Sequence, residues 1–468
     1  MKAKKVRPVI LPFTLSLLIV LTQCAFAQEP LPSTQLIKKG EYLAIAADCN
    51  ACHQSPEGHA MAGGRVIASP LGNIVASNIT PSSRAGIGDY TQAEFARTLR
   101  QGINRQGTHL YPAMPYTAYA KLTDEDIHSL YLYFMHGVNA DDRVAPATHL
   151  PFPFNLRVMM SVWNQLFADS QKFTPNPNTS FQVNRGDYLV NALAHCDTCH
   201  TPRNALMGAK GHQFLAGGAV GNWYAPNITP DPIAGIGNWS DEALTQYLTT
   251  GRAPGKAQAA GPMAEAIEHS LQYLHPDDIR AIVAYLRQIP AIHSDSSIAR
   301  DQQGSPNGDE ARYRAEKEVD AGWQIYASTC ANCHQPDGSG NTFYPALYHN
   351  TATGAENADN LISVILNGVH RETQGQPVAM PGFGQDALKT DRLTDQQIAD
   401  VSNYVLKRFG NTQLRVTAQD VLQQRQGGKK PLIAHLTGPL PVVVLVGIII
   451  LIALRFYFWR KKRVHHDS

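Results

Sequence analysis

The sequence predicts a mainly α-helical protein of three tandem modules, followed by one C-terminal transmembrane helix. The pattern C-x-x-C-H occurs three times, as CNACH at residues 49–53, CDTCH at 196–200 and CANCH at 330–334. Each copy stands between two stretches whose apolar residues recur at helical spacing. Near the end of the chain, residues 442–459 form one apolar run.

The first two modules are a duplication. GEYLAIAADCNACH begins at Gly40 and GDYLVNALAHCDTCH begins at Gly186. Two copies of NITP end at Pro81 and Pro230, so they lie 149 residues apart (230 − 81). A constant displacement of this kind is typical of an internal repeat. The third module, opening with AGWQIYASTCANCHQPDGSG at residue 321, is shorter and lacks the NITP insertion.

Each module is expected to close with a helix that has a clear start signal. The closing helices begin near Leu122, Leu274 and Leu393, and Thr394 with Gln397 forms a capping-box pattern. These helices delimit modules at residues 28–138, 184–292 and 319–410. Polar and Pro-rich stretches between them predict linkers at 139–183 and 293–318 and a stem at 411–437.

The two ends of the chain predict its location. Residues 1–27 combine basic residues, an apolar run and Ala25-Phe26-Ala27, which is typical of a secretory signal cleaved before Gln28. Residues 438–459 predict a membrane-spanning helix, and the basic tail at 460–468 would then lie in the cytoplasm. Together these features predict an exported protein held on the outer face of a membrane by a single C-terminal anchor.

The cysteine count limits the chemistry of the C-x-x-C-H units. Seven cysteines occur, Cys24 is lost with the signal, and each of the other six belongs to a C-x-x-C-H unit. A structural zinc site needs four ligands, usually from knuckles close in sequence, whereas these units lie more than a hundred residues apart. A thioredoxin-like dithiol needs no following histidine. Covalent haem attachment is therefore the favoured interpretation.

The spacing of the motif suits this chemistry. On a helical turn, residues i, i+3 and i+4 share one face, so two thiols can form thioethers to a haem while the histidine points at the iron. The sequence thus predicts three covalently bound haem c groups. The predicted thioether residues are Cys49, Cys52, Cys196, Cys199, Cys330 and Cys333, and the predicted iron ligands are His53, His200 and His334.

The sixth iron ligand decides between an electron carrier and a catalyst, because an open iron can bind oxygen or peroxide. Met114 and Met263 occupy matching places in modules 1 and 2, 149 residues apart (263 − 114), and Met380 lies in VAMPGF of module 3. These three methionines are the predicted ligands. The rival candidates are three histidines, His109, His269 and His370. Pro345 is expected to offer its carbonyl to the Nδ1–H of His334.

Other features exclude several functions. The formal charge of +2, without a long basic block inside the chain, does not indicate nucleic-acid binding. GIGDYT and GIGNWS are not the G-x-G-x-x-G pattern, so no flavin or nicotinamide fingerprint is present. The chain is therefore not expected to be catalytic towards a substrate on its own.

The three haem motifs, together with NITPSSRAGIGDYT, LYPAMPY, GPMAEAIEHS and CANCHQPDGSG, give the chain a family resemblance. It resembles the tri-haem cytochrome c subunit of bacterial membrane-bound dehydrogenases, the family of the gluconate 2-dehydrogenase and alcohol dehydrogenase cytochrome subunits. The resemblance implies three tandem class I cytochrome c-like domains. It also implies a flavin (FAD) or pyrroloquinoline quinone (PQQ) catalytic subunit as electron donor, a possible small third subunit, and ubiquinone as acceptor. A stand-alone multi-haem carrier and a multi-haem peroxidase are the alternatives.

Overall fold

The computed structural model describes residues 33–306, 310–315 and 320–438, together with residues 447 and 455. The predicted signal at 1–27 lies outside the described residues. In the described part of the chain, helices predominate and the strands form four short two-stranded sheets.

Module 1 begins with a helix that leads into the first C-x-x-C-H unit and ends with a helix that packs against it. A hairpin and two shorter helices lie between them. In chain order the elements are α1 (Ser33–Ala46), α2 (Cys49–His53), β1 (Val66–Ser69), β2 (Gly72–Val75), α3 (Gln92–Gln101), α4 (Tyr116–Tyr119) and α5 (Asp124–His136). A further helix, α6 (Met159–Phe167), lies in the connection to module 2.

Module 2 repeats this order with an additional two-residue hairpin. A π-helical turn, Leu189–Leu193, continues its first helix towards the second C-x-x-C-H unit. The elements are α7 (Phe181–Tyr188), α8 (Asp197–His200), β3 (Gly218–Val220), β4 (Trp223–Ala225), α9 (Asp241–Thr250), β5 (Arg252–Ala253), β6 (Ala257–Gln258), α10 (Gly261–His269) and α11 (Pro276–Leu286).

In module 3 the hairpin comes late, just before the closing helix. A π-helical turn at Tyr326–Cys330 again precedes the C-x-x-C-H unit. The elements are α12 (Glu310–Ala315), α13 (Ala321–Ile325), α14 (Ala331–His334), α15 (Asp359–Asn367), β7 (Val369–Thr373), β8 (Gln376–Met380), α16 (Asp395–Phe409) and α17 (Ala418–Arg425).

One glycine lies at the crossing of the first and closing helices in every module. A Cβ atom on Gly40 would lie 2.0 Å from the carbonyl oxygen of Ser129, and one on Gly186 would lie 1.9 Å from that of Ala281. Gly322 is in the same situation in module 3. Because no side chain fits there, glycine allows the two helices to cross in backbone contact. This crossing fixes the helix that carries each C-x-x-C-H unit.

The closing helices begin as the sequence predicts. Thr394 and Gln397 form both halves of a capping box at α16. The Thr123 hydroxyl accepts a hydrogen bond from the backbone N–H of Asp126 at α5. These contacts satisfy N–H groups that have no partner inside the helix.

Modules 1 and 2 share one continuous hydrophobic core, while module 3 has a core of its own. The shared core includes Leu43 and Leu130 of module 1 and Leu189 and Ile279 of module 2. Part of the predicted stem at 411–437 is folded onto module 3, because α17 packs on α16 and its Val421 is fully buried. The third core therefore extends beyond the predicted end of the module.

The predicted fold class is corrected at the C-terminus, because the transmembrane helix is not supported. In the described ranges, no helix is long and apolar enough to cross a membrane. The 15 residues of α16 would span about 22 Å, less than the ~30 Å of a hydrocarbon core, and they include Lys407 and Arg408. Of the predicted segment 438–459, only residues 438, 447 and 455 are described. The described fold is thus helical modules without a membrane helix.

Candidate haem sites

Each C-x-x-C-H unit lies on a short helix, as the motif spacing predicts. The units occupy α2, α8 and α14, and the last residue of each helix is the histidine. All six cysteines are free thiols and partly buried. Burial raises the pKa of Cys49 and Cys196 to about 12. Two buried thiols one helical turn apart, without a disulfide between them, are suitably placed to form thioethers.

The three histidines are held in the same way. The Nδ1 atom lies 2.6 Å from the Ser77 carbonyl oxygen in His53 and 2.7 Å from that of Pro226 in His200. In His334 the partner is the carbonyl of Pro345, at 2.9 Å, which is the contact that the sequence predicts. A proton on Nδ1 directs the Nε2 lone pair away from these carbonyls, as an iron ligand requires.

Two of these carbonyls were not found from the sequence. Ser77 and Pro226 each directly precede the Asn of an NITP motif and follow strands β2 and β4. They are 149 residues apart (226 − 77), so the repeat offset carries the signal for both. The hairpin and NITP loop therefore serve to orient the histidine in modules 1 and 2.

The histidines are neutral at ordinary pH. Burial lowers the pKa of His53 and His334, and it lowers the pKa of His200 to about 4, against the raising effect of the carbonyl hydrogen bond. Neutral imidazole is the form that binds a metal ion. Each histidine is therefore in the protonation state that can bind a metal ion without losing a proton.

The three predicted methionines occupy different local structures, and each packs against the core of its own module. Met114 lies in a turn, where its carbonyl accepts from the N–H of Tyr116 at 2.8 Å. Met263 lies in the first turn of α10, after Pro262. Met380 is the last residue of β8 and pairs with Val369. The sequence predicts a different loop geometry for Met263, because its proline precedes the methionine. The structure agrees, since Met263 lies on a helix whereas the other two methionines do not.

In module 3 the strand geometry separates Met380 from its rival His370. His370 follows Val369 on β7, and successive strand residues point to opposite faces. Met380 is partly buried, whereas His370 is exposed. His109 and His269 are both partly buried, so exposure does not separate them from Met114 and Met263.

The polar atoms around the module 2 site fit a haem. The indole Nε1 of Trp239 is buried without a hydrogen-bond partner, and so is the Nε of Arg300. Such donors are costly to bury unpaired. The carboxylates of a haem would supply the missing acceptors. Buried thiols, a neutral histidine and unpaired donors together match the chemical groups of a covalent haem.

Helical modules with C-x-x-C-H on a short, partly buried helix, closed by a glycine-centred helix crossing, are typical of a c-type cytochrome. The family model for cytochrome c matches residues 183–290 and 319–408. Covalently bound haem c is the cofactor that this family implies.

The relatives narrow the class. The chain is 47% identical to the fructose dehydrogenase cytochrome subunit of Gluconobacter japonicus, over 90% of this chain and 89% of that protein. It is 38% identical to the cytochrome c subunit of alcohol dehydrogenase (quinone) of Gluconacetobacter polyoxogenes, over 89% of this chain and 90% of that protein. It is also 38% identical to the gluconate 2-dehydrogenase cytochrome c subunit of Pantoea cypripedii, over 84% of this chain and 90% of that protein. The chain belongs to this family of dehydrogenase cytochrome c subunits.

Proposed function

We propose that the protein is a tri-haem electron-transfer subunit of a dehydrogenase complex. The observation that carries this proposal is the threefold recurrence of one arrangement: a pair of buried thiols and a neutral histidine whose Nδ1 faces a backbone carbonyl. Bound haem iron would carry one electron by alternating between its ferric and ferrous states.

The chain's own residues would hold each haem from two sides. The cysteine pairs Cys49/Cys52, Cys196/Cys199 and Cys330/Cys333 form the thioethers, and His53, His200 and His334 bind the iron. Met114, Met263 and Met380 supply the sixth ligands. An iron with both axial positions filled by protein passes electrons and does not bind substrate, and methionine ligation favours a high potential.

The electron donor is a separate catalytic subunit that uses FAD or PQQ. Support for this comes from the relatives, which are named as cytochrome subunits of fructose, alcohol and gluconate dehydrogenases. Ubiquinone is the proposed acceptor, and the word quinone in the name of the alcohol dehydrogenase relative agrees with it. The signal-like residues 1–27 support a periplasmic location for this activity. Covalent attachment suits an exported protein, because its cofactor cannot be lost by dissociation.

The test is purification of the native complex through the haem absorbance of this chain. The partner subunit is identified, and fructose, gluconate, ethanol and related sugars, sugar acids and alcohols are added in turn. One substrate is expected to reduce all three haems in the complex, and the same substrate is expected to leave the separated cytochrome chain oxidised. If no substrate of these classes reduces the haems of the complex, the proposal fails.

A further inference from the structure

The segment that follows module 2 is predicted to be exposed, but part of it folds into that module. Ala299 and Asp301 are buried. The Asp301 carboxylate accepts a hydrogen bond from the Lys256 ammonium at 2.5 Å and another from the Asn238 amide at 2.8 Å. The residue between them, Arg300, is therefore fixed on both sides along the chain.

The Arg300 guanidinium reaches the two loops that surround the module 2 haem site. Its Nη2 donates to the carbonyl of Asn227 in NITP at 2.9 Å and to that of Gly235 in GIG at 3.2 Å. Asn227 directly follows Pro226, whose carbonyl faces the Nδ1 of His200. The arginine thus lies one residue away from the group that orients the histidine ligand.

The bonds that Arg300 makes do not neutralise it. Both acceptors are neutral carbonyls, and its Nε is buried without a partner. Two carboxylates, Asp301 and Glu356, act on Arg300 through space without a hydrogen bond to its Nε. Asp301 is itself bonded to Lys256 and Asn238. Burial lowers the pKa of Arg300, yet guanidinium stays charged in proteins. Arg300 is partly buried, and its buried Nε still lacks an acceptor, which an additional anion would supply.

A haem brings such an anion, because two propionate carboxylates project from one edge of the ring. A second unpaired donor, the indole Nε1 of Trp239, belongs to the same GIGNW loop that Arg300 contacts. One cation and one neutral N–H would together hold a carboxylate with charge-assisted hydrogen bonds.

On the basis of the proposed function, we propose that Arg300 and Trp239 bind a propionate of the haem attached in module 2, and that the Arg300 charge raises the reduction potential of this haem. A fixed cation near the ring stabilises the ferrous state, which carries one more electron than the ferric state. Its effect is large because the surroundings are poorly solvated.

Module 3 holds the arginine in place. A Cβ atom on Gly354 would lie 1.9 Å from the Arg300 carbonyl oxygen, so the two backbones are in direct contact. The N–H of Thr351 also donates to the carbonyl of Lys256, and the N–H of His349 donates to that of Gln303, at 2.8 Å each. The potential of the second haem therefore depends on the docking of the third module.

Module 1 provides a matched control. Arg143 lies in the connection that follows module 1, as Arg300 lies in the one that follows module 2. Its side chain is 44% exposed and pairs with Glu57 at the surface. Replacing either arginine by glutamine removes one positive charge, but only the loss of Arg300 changes the surroundings of a haem in our proposal.

The experiment is a spectroscopic redox titration of the full-length haem-loaded protein as wild type, Arg300→Gln, Arg300→Lys and Arg143→Gln. A fourth variant, Cys196→Ala/Cys199→Ala, identifies the module 2 step as the one that disappears. In Arg300→Gln the reduction potential of that step is expected to fall by at least 59 mV, which is a tenfold change in a one-electron equilibrium. Arg300→Lys is expected to keep the module 2 potential close to the wild-type value, and Arg143→Gln is expected to leave it unchanged.

Two results would overturn the proposal. One is an Arg300→Gln protein with three haems whose module 2 step coincides with that of Arg143→Gln. The other is an Arg300→Lys protein whose step falls as far as that of Arg300→Gln, because the charge is then not responsible. If Arg300→Gln does not accumulate, Arg300→Met removes the same charge and is measured in its place by the same two criteria. A wild-type chain without three covalent haems would instead refute the proposed function.

Discussion

The Tyr42 hydroxyl donates a hydrogen bond of 2.6 Å to the carboxylate of Asp278, joining the first helix of module 1 to the closing helix of module 2. The reciprocal contact is also present, since the Tyr188 hydroxyl of module 2 donates to Asp126 of module 1 at 2.6 Å. Each hydroxyl also accepts a backbone N–H at the start of the helix it touches. The duplicated modules are therefore joined face to face by the same pair of residues used twice.

This interface predicts an additive effect of removing the two hydroxyls. Tyr42→Phe and Tyr188→Phe are each expected to lower the free energy of unfolding of the joined modules by about 1.5 kcal/mol, because each removes a hydrogen bond to a carboxylate. Urea unfolding of the single and double variants measures this. Tyr273→Phe, at a residue that is 59% exposed, is the control and is expected to be neutral. Equal stability of the double variant and the wild type would contradict the role of the pair.

Asp278 predicts a specific acid sensitivity. Burial alone would raise the pKa of Asp278, but hydrogen bonds from Arg185 and Tyr42 hold it below its ordinary value. A carboxylate with a lowered folded pKa stabilises the protein above the unfolded pKa of about 4, and this contribution is lost as the pH falls through the folded pKa. Wild-type stability is therefore expected to fall more steeply below pH 4 than that of Asp278→Asn.

Urea unfolding at several pH values between 2.5 and 7 checks this slope. Asp277→Asn, at the exposed neighbouring carboxylate, is expected to keep the wild-type slope. Parallel pH profiles for the wild type and Asp278→Asn would show that the carboxylate is not linked to stability.

The helices and the haem motif were predictable because their signals are local. Thr394 and Gln397 form a capping box that marks the start of α16 within four residues. The spacing from Cys49 to His53 corresponds to one helical turn. The 149-residue offset between modules 1 and 2 also makes their equivalent loops recognisable in the sequence. It would also have revealed Ser77 and Pro226 as the carbonyls behind the histidines, once the module 3 contact at Pro345 was considered.

The contacts between modules could not be predicted in this way. Arg300 stands in a polar segment, and its backbone contacts Gly354, more than fifty residues later. The short hairpins, such as β7 and β8, have too few residues for a clear alternation. The C-terminal transmembrane helix was predicted from the apolar run at 442–459 and the basic tail that follows it, and it is not supported by the described residues.

The buried side chain of Arg371 predicts how modules 2 and 3 hold together. Arg371, on β7, is 3% exposed and donates to the carbonyl of Ala259 at 2.6 Å and to the Gln258 side chain at 3.1 Å. Arg371→Met is expected to cost about 2 kcal/mol, since it leaves the Ala259 carbonyl unpaired. Faster hydrogen exchange at residues 369–380 and 257–259 measures the loosening. His370→Ala, on the neighbouring exposed residue, is the control, and unchanged exchange in Arg371→Met would contradict the prediction.

The choice between Met380 and His370 as an iron ligand is also testable. Met380→Leu is expected to remove the sulfur-to-iron charge-transfer absorption from one of three ferric haems and to shift the potential of that haem. His370→Ala is expected to leave the spectrum unchanged, because its side chain lies on the opposite face of the hairpin. The reverse pattern would identify the histidine as the ligand.

The number of haems attached to one chain tests the central claim most directly. Intact mass measurement of the purified protein is expected to show three covalent haems per polypeptide. Alanine replacement of both cysteines in any one of the pairs Cys49/Cys52, Cys196/Cys199 or Cys330/Cys333 is expected to leave two. A wild-type chain that carries fewer than three, or a cysteine-pair variant that still carries three, would contradict the assignment of one haem to each module.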